Sequence, residues 1–129
     1  MEAYIWLLLH LHSPLYDIDP LLAGAVIHVE SSFNPSAIGA LKEVGLFQIR
    51  PEYSEYTAEE LLDPETNVKE GLRMLGEAKK RCLHKDNKQF VICHNTGIAG
   101  AKKIDNPSEF IYYKKVYKQY VSLRGRNEY

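Results

Sequence analysis

Net charge is almost missing from this chain: sixteen basic and seventeen acidic side chains leave a formal balance of −1. Without a basic excess, and without Lys/Arg clusters interleaved with aromatics, the footprint of a nucleic-acid binder is absent. Cysteine is scarce as well. Cys82 and Cys93 stand eleven apart with no Cys-x-x-Cys pairing, which excludes a disulfide-stapled secreted scaffold. Two buried free thiols are the expectation, with a bridge between neighbouring helices left open. No apolar run is long enough to span a membrane. The apolar stretch at residues 5–9 follows Glu2, lacks a basic lead, is broken by His10 and His12 and has no small-residue cleavage site. It reads as a mature cytosolic start with no signal peptide.

Chemical signatures are missing too. His10, His12, His28, His84 and His94 form no His-Glu-x-x-His or Cys/His spacing, so neither a metal nor a cofactor is expected. Gly97-Ile98-Ala99-Gly100 lacks the Lys-Ser/Thr of a phosphate loop and follows no strand. No Gly-x-Ser-x-Gly elbow marks a serine nucleophile.

What remains is an ordinary soluble composition, 45% hydrophobic and 26% charged, in 129 residues. That length suits a single domain over residues 1–129, burying roughly two-thirds of its unfolded surface. Charge is uneven along it: residues 43–70 hold eight acidic and two basic side chains, residues 102–129 seven basic and three acidic. Two solvated faces of opposite sign account for this. Periodicity predicts helices over residues 2–12, from an Asp19 cap to about Ser32, from Asp63-Pro64 to about Leu83, from Asp86-Asn87 to 95–97, and after Asn106-Pro107. Thr57 and Glu60 form a capping box for a short helix through Leu62. Residues 33–45 read as loop with at most a small β-hairpin, residues 98–104 as a connection, and 125–129 as a frayed tail. The fold class is mainly α.

One carboxylate stands out. Counting from Ala23, positions Val26, Ile27 and Glu30 continue a single helical face, and Asn34-Pro35 ends the helix soon after. Burial and the negative end of the helix dipole both disfavour an ionised Glu30, so its pKa should rise. A carboxylic acid kept protonated near neutrality suits general-acid catalysis. The alternative is an exposed Glu at a frayed helix end.

Around that residue the sequence resembles a known family. Glu30-Ser31-Ser32-Phe33-Asn34-Pro35-Ser36-Ala37 is similar to the E-S-x-F-N-P-x-A signature of soluble lytic transglycosylases. Gly45-Leu46-Phe47-Gln48-Ile49 resembles the family's G-L-M-Q-I box, with Phe in place of Met. Asp63-Pro64-Glu65-Thr66-Asn67-Val68-Lys69-Glu70-Gly71 resembles D-P-x-x-N-I-x-x-G, and Cys93-His94-Asn95-Thr96-Gly97 stands where the family has A-Y-N-A-G. The four blocks are collinear over residues 19–97.

The resemblance implies a lysozyme-like fold and cleavage of the β-1,4 bond between N-acetylmuramic acid and N-acetylglucosamine in peptidoglycan. A single Glu acts there first as acid, then as base, and yields a 1,6-anhydromuramic product, where most glycosidases use two carboxylates. Carried over, Glu30 is catalytic, and Ser31, Phe47, Gln48, His94, Asn95 and Tyr113 are substrate-binding candidates. Ser31 and Asn95 have capping roles as alternatives, and Phe47 and Tyr113 core positions; Asn67 and Gly71 look architectural, Gly71 admitting a close helix crossing. The expected partners are glycan strands, with phage or secretion-system proteins delivering the enzyme to the wall.

The chain also departs from the pattern. Gly39 replaces a Ser that hydrogen-bonds the acid, Lys42-Glu43 replaces Gly-Ala, and His94 replaces Tyr. Glu43 as a second, water-activating carboxylate would make a hydrolytic muramidase. A weakly active wall-binding module of a phage tail or secretion apparatus is the reading from another class.

Overall fold

In the computed structural model, which describes residues 1–127, six α-helices make up most of the fold, with a long irregular segment between the second and the third. Helix α1 (Glu2–His12) is followed by a 3-10 turn (Ser13–Tyr16) and then by α2 (Pro20–Ser31). Asp19 opens α2 as expected, its Oδ1 accepting the Leu21 N–H at 2.9 Å with Pro20 at the first helical position. Burial here is wider than a single stripe: Leu22 to Ile27 are buried without a break, because α1 and α6 both pack onto this helix. α2 is therefore the central helix.

Helix α3 (Ala58–Leu61) carries the full capping box, with Thr57 accepting from Glu60 N–H at 3.1 Å and Glu60 accepting from Thr57 N–H at 2.9 Å. Helix α4 (Pro64–Arg81) starts at Asp63, which accepts the Thr66 N–H, and closes with Lys79, Lys80 and Arg81 against its negative end. Its face of Val68, Leu72 and Leu75 is fully buried, about 2 kcal/mol for each side chain. That burial fixes which face of α4 is left over to line a groove.

Helix α5 (Val91–Ala101) breaks at Gly97, where φ 80° and ψ 162° leave the helical region, and a further turn continues to Ala101. The expected connection after residue 97 is thus partly helical. The last helix, α6 (Ile111–Asn127), is entered through a 3-10 turn at Pro107–Glu109. It continues through Gly125 to Asn127; Glu128 and Tyr129, the end of the expected tail, lie outside the described residues.

Among the described residues the expected hairpin is reduced to two antiparallel bridges, Ile38 with Val44 and Val44 with Ile49, so the fold is mainly α. No helix among them is long and apolar enough to cross a membrane.

The expectation of two free thiols is corrected: Cys82 and Cys93 form a disulfide. The end of α4 and the start of α5 bring their Cα atoms to 5.8 Å, within bridging range. Closing so short a loop removes about 3 kcal/mol of chain entropy from the unfolded state in the loop-entropy model.

Candidate active site

The loop between α2 and α3 has little regular structure, so residues of α2 and α4 hold it. Buried Asn67, on the first turn of α4, accepts the Phe47 N–H at 2.8 Å and donates to Val44 O and Leu61 O at 2.9 Å each. Every polar atom of that side chain has a partner, as a buried amide requires. From α2, Ser31 Oγ lies within hydrogen-bond distance of Leu46 O (2.8 Å) and of Ile27 O in its own helix (3.2 Å). Gly71 leaves room for the Phe47 ring, which a Cβ at that position would strike. Its role is to admit an aromatic ring and not a helix crossing. Asn67, Ser31 and Gly71 together clamp the segment from Gly45 to Ile49 at the end of α2.

A groove of about 850 Å³ opens where that loop meets α4 and α5. Glu30 and Glu43 line it, with Phe47 and Gln48 from the loop, Arg73, Met74, Glu77, Ala78 and Arg81 from one face of α4, and residues 93–98 of α5. Of the candidates read from sequence, Glu30, Phe47, Gln48, His94 and Asn95 all face this groove. Ser31 supports the loop, as described. Tyr113 lies elsewhere: it is buried and its hydroxyl donates to Asn87 O at 2.8 Å.

The tyrosine at Glu30 is its neighbour, Tyr112, whose hydroxyl donates to Glu30 Oε2 at 3.0 Å. Phe110, Tyr113, Tyr117 and Tyr120 recur at helical spacing in the sequence, and Tyr112 falls one residue off that row. On α6 it starts a second stripe, Tyr112, Val116 and Leu123, which faces inward. That offset stripe was the only signal in the sequence that pointed to it.

Burial lifts the Glu30 carboxyl from 4.5 to about 7; the Tyr112 hydrogen bond pulls against this, and the nearby negative charge of Glu43 adds to it. The rise has the direction expected from the sequence, with burial as its main cause and the charge of Glu43 adding to it. Tyr112 is held well above its ordinary value by burial, by the Glu30 charge and by the shared hydrogen bond. It is therefore a neutral donor throughout the working pH range.

The departures at Gly39 and His94 are filled in structural terms. A Cβ on residue 39 would come within 2.6 Å of Gln48 Oε1 and 2.7 Å of Glu43 Oε1. Those two side chains occupy the space a serine would need. Glu43 is pinned there by the Leu41 N–H at 2.6 Å, and Gln48 Nε2 donates to Gly45 O and Ala37 O at 2.9 and 3.1 Å. Gln48 also takes a φ of 51°, a left-handed conformation that costs about 1 kcal/mol and is held by those bonds. Burial takes His94 down to about 4, so it lines the groove as a neutral imidazole with its ring edge-on to Phe47 at 6.2 Å. Asn95 is exposed on the same wall. Beside them Cys93 ties this wall to the end of α4 through the disulfide.

Such a site can give up a proton near neutrality and take it back, along a groove open enough for a polymer. Among the described residues no three His, Cys, Asp or Glu side chains gather as a metal site. The family model for the transglycosylase SLT domain matches residues 12–115, from the end of α1 into the first turns of α6. No curated protein matches the chain.

Proposed function

The chain belongs to the transglycosylase SLT domain family, a lysozyme-like family of peptidoglycan-cleaving enzymes, and on that premise we propose that Glu30 is the acid and base of a lytic transglycosylase. The bond cleaved is the β-1,4 linkage from N-acetylmuramic acid to N-acetylglucosamine. The observation carrying this reading is the Glu30 carboxyl, raised to about 7 on the groove wall, with Tyr112 donating to Oε2.

Tyr112 occupies one carboxyl oxygen and leaves Oε1 to carry the acidic proton. That proton passes to the glycosidic oxygen as its bond to the anomeric carbon breaks. The acetamido carbonyl oxygen of the muramic residue bonds to the anomeric carbon and spreads the positive charge, so no second carboxylate is needed. Glu30, now ionised, takes the proton of the muramic 6-hydroxyl. The freed oxygen displaces the acetamido oxygen at the anomeric carbon, closes the 1,6-anhydro ring and returns Glu30 to its protonated state. Phe47, Gln48, His94 and Asn95 line the sugar path, and neutral His94 adds no charge to it.

A second reading is supported by Glu43, which shares the groove and whose charge acts on Glu30. Were Glu43 to activate a water, the products would end in reducing muramic acid. Mass spectrometry of fragments released from purified cell walls separates the two. Anhydro ends are expected, and reducing ends would transfer the assignment to the hydrolytic mechanism. Binding to walls without release of fragments by the wild-type protein would leave a wall-binding module of a phage tail or secretion apparatus. The Cys82–Cys93 bond supports action in an oxidising compartment, with phage lysis, a virion or secretion machinery as the delivery route.

A further inference from the structure

A second hollow, of about 540 Å³, adjoins the first and is lined by Glu52, Tyr53, Ser54, Tyr56, Glu70 and Arg73, along with Glu55. Tyr53 and Arg73 line both spaces, so the two meet across these side chains. Tyr53 is 69% exposed, so its ring is open to a ligand. It is nevertheless held: the Arg50 guanidinium lies 4.9 Å from its ring centroid, and Glu52 fixes Arg50 through a 2.8 Å hydrogen bond. The floor is fixed as well. Buried Glu70 accepts from Arg73 Nε (2.7 Å), Arg73 Nη2 (3.2 Å) and Ser54 Oγ (2.6 Å), and Ser54 in turn accepts the Tyr56 N–H at 3.1 Å. None of these groups takes part in the acid–base steps above.

We propose that the glycan groove continues past Tyr53 into this hollow as an outlying sugar subsite, with Tyr53 as the stacking platform and Arg73 as a donor to a sugar oxygen. The proposal rests on the glycan-cleaving reading of the first groove. A pyranose ring presents a face of C–H groups that suits the negative face of an aromatic ring. The Arg73 nitrogen not engaged by Glu70 remains to donate to an acetamide carbonyl or hydroxyl. Glu52 and Glu55 at the rim disfavour an anionic occupant, which selects a neutral N-acetyl sugar of the strand over a carboxylate of its peptide stem. Residues outside the cleavage point would then grip long strands and leave short ones unaffected.

The test is calorimetric binding of β-1,4-linked N-acetylglucosamine oligomers, dimer and octamer, to the Glu30→Gln protein, which cannot turn them over. The octamer is expected to bind more tightly. Adding Tyr53→Ala should weaken the octamer roughly three- to tenfold and leave the dimer unchanged, whereas Tyr53→Phe should keep the full affinity. Equal affinity for both lengths, or equal weakening of both by Tyr53→Ala, overturns the subsite while the first groove stands. Failure of Glu30→Gln to bind either oligomer would count against the glycan reading itself. Thermal melts that match between the Tyr53 variants show that the exposed ring acts on binding and not on folding.

Discussion

Glu30 and Glu70 are the same side chain, each withdrawn from water at the edge of a hollow, and they are tuned in opposite directions. Burial raises both. At Glu30 the only opposing contact is one neutral hydroxyl, from Tyr112, and Glu43 adds a like charge, so the carboxyl settles at about 7. At Glu70 the hydrogen bonds of Arg73 and Ser54 and the charge of Arg73 together outweigh burial, and the carboxyl is held below its ordinary value. A forked guanidinium can compensate a buried anion, whereas a phenol cannot. One environment favours a protonated carboxyl near neutrality and the other a structural anion.

The comparison breaks most visibly in catalysis. Glu30→Gln keeps the shape of the side chain and an acceptor for Tyr112 but has no proton to give, and release of fragments from cell walls should fall by a factor of about 10²–10⁴. Retained activity in this variant would remove Glu30 from the mechanism.

Stability should separate the two residues next, through opposite slopes with pH. Glu30 is raised, so the folded state holds its proton between about 4.5 and 7 where the unfolded chain does not. Its contribution is fully present below 4.5 and is lost as pH rises through 7. Glu30→Gln should therefore be more stable than wild type above pH 7, by on the order of 3 kcal/mol, with little difference at pH 4. Glu70 is lowered, so its contribution is present above 4.5 and is lost as pH falls through its folded value. Glu70→Gln should cost about 2 kcal/mol at neutral pH, moderated because solvent reaches half of Arg73, and less in acid. Urea titrations at several pH values measure both; slopes of the same sign would contradict the contrast.

The smallest effect sharpens the balance at Glu30 itself. The Tyr112 hydrogen bond lowers that pKa and the Glu43 charge raises it. The alkaline limb of kcat/KM, near pH 7 in the wild type, should move up in Tyr112→Phe and down in Glu43→Gln, each by a fraction of a pH unit. A complete pH–rate profile for each variant tests the sign.

The comparison also shows where sequence reasoning reached its limit. Asp19, Thr57-Glu60 and Asp63 were legible because a cap acts on the backbone two or three residues away. Glu30 was legible because helical period placed it on an apolar stripe. Tyr112 was not, since it meets Glu30 across 82 residues of chain and stands beside Tyr113, the aromatic to which the family resemblance pointed. The Cys82–Cys93 bond stayed open for a similar reason: eleven residues of separation do not reveal how α4 and α5 turn. The roles of Gln48 and Glu43 in filling the space over Gly39 depend on a loop held mainly by contacts from other elements.

The order of the helices, their caps, the place of Glu30 on a buried face and membership of the family were therefore written in local pattern, because caps, helical period and short motifs act over a few residues. Which hydroxyl holds Glu30, why Glu70 differs from it, and how the hollow at Tyr53 joins the main groove arose only when distant elements packed. The electrostatics of a carboxyl depend on everything within a few ångströms of it, and chain distance carries almost none of that information.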